Sequence, residues 1–133
     1  MVTLIDTSAI YAYLDGRDHN HAPAVAALGD LLTAGERLVT HSYVALETTA
    51  LVQRRLGMEA TRVLFDDVLP IAEMVWIDEV THHLAVSALL GSGLRDISLV
   101  DWTSFVVMRE QRLDRAFAFD SDFARQGFEV IPS

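Results

Sequence analysis

The chain has 133 residues, 51% of them hydrophobic, with a mean hydropathy of +0.27, enough for one domain (residues 1–133) with a full core. All ten basic residues are Arg, which excludes the Lys-dependent phosphate loop, Schiff-base enzymes, protein kinases and phospho-receiver domains, and the absence of Cys excludes disulfide frameworks and zinc–thiolate sites. A formal charge of −9 weighs against a nucleic-acid partner unless cations neutralise part of it, or arginines such as Arg54, Arg55 and Arg62 gather on one surface.

In chain order, Val2–Asp6 reads as a short buried strand and Ser8–Leu14 as a helix capped by Thr7 or Ser8. Asp15–Asn20 is a turn. Pro23 suits the first turn of a second helix, with Val25, Leu28 and Leu32 on one face and Gly35 at its end. Leu38–His41 is a strand. Ser42 caps a helix running to Leu56, where Gly57 stops it. Ala60–Leu69 follows as a helix with Leu64, Phe65, Val68 and Leu69 on one face, ended by Pro70. Glu73–Ile77 is a strand, Val80–Leu90 a helix closing in a Gly-Ser-Gly turn, and Ser98–Leu113 a further helix. Ala116–Phe119 is a strand, Asp122–Gln126 a helical turn, and Phe128–Ile131 the last strand. Strands alternating with helices predict an α/β fold with a parallel sheet covered on both faces.

Acidic residues recur where strands end and helices begin, which is where an open α/β sheet gathers its ligand-binding groups. Asp6 ends the apolar run VTLI; an ionised group there is costly unless it caps a helix or meets a partner. Glu47 lies among Tyr43, Val44, Ala50 and Leu51 at helical spacing, so it points into an apolar stripe and needs either a site or an Arg partner. Asp101 follows Ser98 in a capping-box arrangement, a role compatible with holding a cation. Asp120 repeats the Asp6 pattern after AFAF, with Asp122 two residues on; either can instead cap the turn that follows. Brought together, such carboxylates demand a hard divalent cation.

The remaining polar residues offer less. Asp96 reads as a solvated turn residue, and the five His form no ligand pattern. His41, near a strand end, reads as a surface residue rather than one bordering the site, and Trp76 and Trp102 as core or interface. No Gly-x-Ser-x-Gly elbow is present, which argues against a serine hydrolase. Asp6 is followed by Thr-Ser rather than a second Asp, which disfavours an Asp-x-Asp phosphatase.

With these residues in place, the chain resembles the PIN-domain ribonucleases, specifically the VapC-type toxins of type II toxin–antitoxin pairs. The resemblance rests on LIDTSAIYAYLD around Asp6, SYVALETTAL around Glu47, ISLVDWTSFVVMRE around Asp101 and AFAFDSDF around Asp120, in that order over nearly the whole length. It implies a five-stranded parallel sheet in the order 3-2-1-4-5 flanked by helices. It also implies RNA hydrolysis with Mg²⁺ or Mn²⁺ held by Asp6 and Asp101. Glu47 and a fourth carboxylate, Asp120 or Asp122, would complete the site, hold a second ion or orient the water, and Ser8 would support it by a hydrogen bond to a carboxylate or a bound water. A small antitoxin inserting an Arg near the carboxylates, a homodimer and a cytoplasmic location are further implications. The competing reading is a catalytically silent module of the same fold that binds a partner protein or RNA. A start that reaches Asp6 without a basic leader, and the absence of any run of about 18 uncharged apolar residues, predict neither a signal peptide nor a membrane span.

Overall fold

A computed structural model describes residues 1–133. The strands are β1 (Val2–Ile5), β2 (Arg37–His41), β3 (Glu73–Val75), β4 (Arg115–Phe117) and β5 (Glu129–Ile131). They form one all-parallel sheet in the order β3-β2-β1-β4-β5, as the resemblance implied. The helices are α1 (Thr7–Leu14), α2 (His21–Thr33), α3 (Ser42–Leu56), α4 (Met58–Val63), α5 (Glu79–Ser92), α6 (Leu99–Gln111) and α7 (Asp122–Arg125).

Because successive side chains of a strand point to opposite faces, each central strand feeds two cores. Ile5, Leu38 and Phe117 pack with α1, α2 and α3 residues such as Ile10, Leu28 and Val52. Leu4, Val39 and Ala116 pack on the other face with Ala85 of α5 and with Phe105 and Met108 of α6. In this strand order the chain reverses direction across the sheet between β1 and β4. That switch point opens a crevice at the carboxyl ends of the two strands. No helix is long and apolar enough to cross a membrane.

Several expectations shift by a residue or a turn. The buried stripe of α2 is Ala24, Leu28 and Leu31, while Val25 and Leu32 face outward. Pro23 does lie in the first turn of the helix, and of the three expected face residues only Leu28 is buried. The single helix expected over Ala60–Leu69 is broken: α4 ends at Val63, a π-helical turn spans Leu64–Val68 and a 3₁₀ turn spans Leu69–Ile71. The extra residue in the π turn keeps Leu64, Val68 and Leu69 inside and turns Phe65 out, at 51% exposure. The cap of α1 is Asp6 itself, not Thr7 or Ser8; its carboxylate accepts the Ser8 N–H. His41, expected at the surface, is fully buried. Its Nδ1 accepts the Tyr43 and Val44 N–H groups and so caps α3.

Gly57 joins α3 to α4 with φ 92° and ψ −175°, a backbone region open essentially to glycine alone. Gly57→Ala is therefore expected to cost about 1–3 kcal/mol, read as a lower urea midpoint with an unchanged slope. An unchanged midpoint would show that this turn tolerates a side chain.

Candidate functional site

The site is assembled by the hydroxyl-rich segment that follows β1. The Ser8 hydroxyl donates to Asp6 Oδ2 at 2.6 Å and accepts the Phe119 N–H at 2.9 Å. The Asp6 N–H also donates to the Phe117 carbonyl at 3.0 Å. The end of β1 is thus fastened to the end of β4, and Asp120 is delivered beside Asp6. On the other side, the Thr48 hydroxyl donates to Thr7 Oγ1 at 3.1 Å. Both threonines are buried, and their contact seats α3 against α1 with Glu47 next to Thr48.

Asp101 arrives from α6. Its N–H donates to Ser98 Oγ at 3.1 Å and its carboxylate accepts the Ser98 N–H at 3.4 Å, so the capping box exists. The same carboxylate nevertheless reaches the crevice: Asp101, Asp120 and Asp122 each present an oxygen within 4.8 Å of the others. Asp122 is held there by its neighbour Phe123, fully buried edge-on against Phe105 with ring centroids 5.0 Å apart. A turn in which Asp120 Oδ1 accepts the Asp122 N–H at 2.9 Å fixes the spacing of the two carboxylates.

The electrostatics are those of crowded anions. Burial pushes Asp101 up to about 7, with repulsion from Asp6 and Asp120 adding to it against the Ser98 bonds. Burial likewise raises Asp6 to about 6; its bonds from Ser8 oppose the rise, while Asp120 and Glu47 reinforce it. Asp120 is raised by burial and by Asp122, with Arg125 opposing. These repulsions place Asp6, Glu47, Asp101 and Asp120 in one electrostatic neighbourhood, with Asp122 on its rim, where Arg125 Nη1 lies 3.1 Å from its Oδ1. The five candidate carboxylates therefore lie around one crevice.

Glu47 gets there by a different route from the one its spacing suggested. The buried face of α3 is Val44, Thr48 and Val52; Tyr43 and Leu51 are only half-buried and Ala50 is exposed. Glu47 stands on the shoulder of that face, not within it. Sequence reasoning missed Thr7 and Thr48 as the pair that orients α3. The signal available was a threonine at each of two helix positions whose other neighbours are apolar.

The donor set suits a hard divalent ion. All its side-chain donors are carboxylate oxygens, with no thiolate and no imidazole in the crevice. Asp6 Oδ1 is buried and has no hydrogen-bond partner, an expensive state for a carboxylate oxygen unless a cation faces it.

The PIN domain family model matches residues 3–129. The chain is 36% identical over 99 residues to the 23S rRNA-specific endonuclease VapC20 of Mycobacterium tuberculosis, covering 71% of this chain and 74% of that protein. The crystal structure of Mycobacterium tuberculosis VapC20, a Sarcin-Ricin loop cleaving toxin, aligns with a TM-score of 0.83 at 28% identity over 96% of each chain. VapBC2 from Rickettsia felis, bound to a DNA fragment from its promoter, shares the fold at 15% identity. Its TM-score is 0.72, over 98% of this chain and 97% of that one.

Proposed function

The chain belongs to the PIN domain family, and from that premise we propose that it is a metal-dependent endoribonuclease, the toxin of a toxin–antitoxin pair, formed by one domain over residues 1–133. The observation that carries the reading is the meeting of Asp6, Glu47, Asp101, Asp120 and Asp122 at the β1/β4 crevice, with Asp6 Oδ1 buried and unpartnered. The 36% identity to a ribosomal-RNA endonuclease supports RNA as the substrate class.

Asp6 and Asp101 would be the principal ligands for Mg²⁺ or Mn²⁺, with Asp120 and Asp122 completing the set and Glu47 orienting water from the shoulder of α3. A bound ion supplies a water of lowered pKa and positive charge against the phosphate oxygens. The protein's own work is to hold the carboxylates rigid: Ser8 fixes Asp6 against β4, the Ser98 box fixes Asp101, and the Asp120–Asp122 turn fixes the rim. An antitoxin arginine pairing with these carboxylates would block both ion and RNA. The Arg125–Asp122 pair supports such a contact, since a guanidinium already sits against the cluster. A homodimer and a cytoplasmic location complete the reading.

The test compares the purified protein with Asp6→Asn on RNA, with Mg²⁺ and with chelator. Cleavage that needs both Asp6 and Mg²⁺ is expected; equal cleavage by both proteins would overturn the assignment. Growth arrest on expression, relieved by a co-expressed cognate antitoxin, would mark the toxin.

Metal binding should also appear as stability. Asp6 and Asp101 titrate at about 6 and about 7 in the fold against 3.8 without it, so their raised pKa values favour the folded state at low pH. That contribution is complete below 3.8 and is lost as pH rises through 6 and 7. A cation bound to the ionised cluster offsets the loss. At pH 8, Mg²⁺ at a hundredfold its Kd is expected to add about 2.7 kcal/mol, visible as a rise of several degrees in Tm. At about pH 5, where protons compete for the same oxygens, the rise should shrink. A Tm indifferent to Mg²⁺ at pH 8 would count against a divalent site here.

A further inference from the structure

A groove of about 360 Å³ opens beside the acidic crevice, between the α5–α6 connection and α7. Its walls include Leu94, Arg95, Asp122, Arg125 and Gln126. Asp122 belongs to both the groove and the carboxylate cluster, so the two are continuous. The size falls within the roughly 300–1,000 Å³ of small-ligand sites.

The charged residues of its walls are Arg95, Asp96, Asp122 and Arg125, and the arginines of the chain differ in how they are engaged. Arg37 and Arg115 are bound to Glu73 and Glu36, and Arg109 is held by Gln126 and Phe128. Arg125 leans on Asp122. Arg95 is exposed, and its guanidinium makes no side-chain hydrogen bond or ion pair. It therefore stands as an uncommitted, planar cation at the lip of a strongly anionic crevice. Leu94 beside it is 52% exposed, an apolar surface of the kind a base or ribose covers.

A polyanion approaching the carboxylates is repelled unless cations hold the phosphates on either side of the reacting bond. We infer that the Arg95–Arg125 groove is the subsite for the RNA strand flanking the cleaved bond. Arg95 holds a backbone phosphate through its guanidinium fork, and Leu94 covers the adjoining nucleoside. The subsite rests on the nuclease reading above and adds to it the direction in which the strand leaves the crevice. Arg95 is a positioning residue; it acts on the strand and not on the reacting atoms. Contact to a phosphate is indifferent to sequence, so the groove contributes affinity and register, not base choice.

The experiment uses a fluorescein-labelled single-stranded RNA of about 20 nucleotides. Binding is read by anisotropy in chelator, where nothing turns over, and cleavage is read separately in Mg²⁺. Arg95→Ala is compared with Arg112→Ala, which removes the same charge from an exposed arginine at the other end of the sheet, beside Met1 and Asp114. At about 50 mM salt, Arg95→Ala is expected to weaken binding roughly five- to tenfold and to lower the slope of log K against log salt by about 0.7. KM should rise by a similar factor with kcat nearly unchanged, Arg95→Lys should recover most of the binding, and Arg112→Ala should match the wild type. Arg95→Ala indistinguishable from Arg112→Ala, in a protein that still cleaves RNA, overturns the subsite alone. A wild-type chain that neither binds nor cleaves RNA overturns the nuclease reading and the subsite with it.

Discussion

Asp101→Asn is expected to abolish RNA cleavage, by about a thousandfold or more, while making the metal-free protein more stable at pH 8. The activity loss follows from removing a charge that several kcal/mol of cation binding would rest on. The stability gain follows from the surroundings of that charge. Asp101 is pushed up to about 7 by burial and by Asp6 and Asp120, so at pH 8 it is ionised at a cost. Asparagine keeps the shape and still accepts from the Ser98 N–H, so the capping box survives. Only the repulsion disappears. Discounted for the partial exposure of the side chain, the gain is about 1–2 kcal/mol, or roughly 3–8 °C in Tm. The gain should vanish near pH 4, where the native carboxyl is already protonated. Calorimetry in chelator at pH 8 and pH 4 decides it: a variant no more stable than wild type at pH 8 would mean that the crevice stores no repulsion. Sites that trade stability for reactivity behave in this way.

The second large effect is structural. His41→Ala is expected to cost about 3–4 kcal/mol without altering the carboxylates. Nδ1 accepts two N–H groups at the start of α3, at 3.2 Å and 3.3 Å, which places the ring proton on Nε2. Nε2 then donates to Ser104 Oγ at 2.7 Å, and Ser104 donates to the Val100 carbonyl at 3.1 Å. One imidazole thus ties β2 and α3 to α6. Losing the cap costs about 1 kcal/mol and the buried ring leaves a cavity worth 2 or more. Urea unfolding would read the sum, and His41→Asn should recover the cap share. A loss under about 1 kcal/mol would show that the ring is dispensable. The pH dependence has the opposite sign to that of Asp101. Burial holds His41 near 4 against 6.5 for the free group, so its contribution is complete above 6.5 and is lost as pH falls toward 4. Between those limits the histidine and the carboxylates pull in opposite directions. Above pH 6.5 the carboxylate trend stands alone.

The sequence showed the ingredients of the site more clearly than the bonds that assemble it. Asp6 and Asp120 were legible because a charge ending an apolar strand has few inexpensive explanations. Asp101 was legible only as a choice between cap and ligand, and the structure gives it the cap and a place in the crevice together. Glu47 was identified from a stripe that is not the buried one; what brings it in is the Thr7–Thr48 bond, between residues 41 positions apart. Alternation predicted a parallel sheet, but strand order depends on pairings that no local pattern encodes and came from the resemblance. His41 was misread because a buried histidine and an exposed one look alike in sequence when the partner is Ser104, 63 residues away. The π turn at Leu64–Val68 was invisible for a related reason. It re-phases a helix to suit the core it meets, and that core is made elsewhere in the chain.

The Ser8–Phe119 bond spans 111 residues and joins the first acidic motif to the last. During translation, Asp6 leaves the ribosome long before Asp120 has been made, so the emerging polypeptide carries an incomplete carboxylate cluster for most of its synthesis. The cluster can be complete only after β4 pairs with β1 and brings Asp120 beside Asp6. A chain cut short before that point lacks Asp120 and Asp122 and with them one side of the carboxylate cluster.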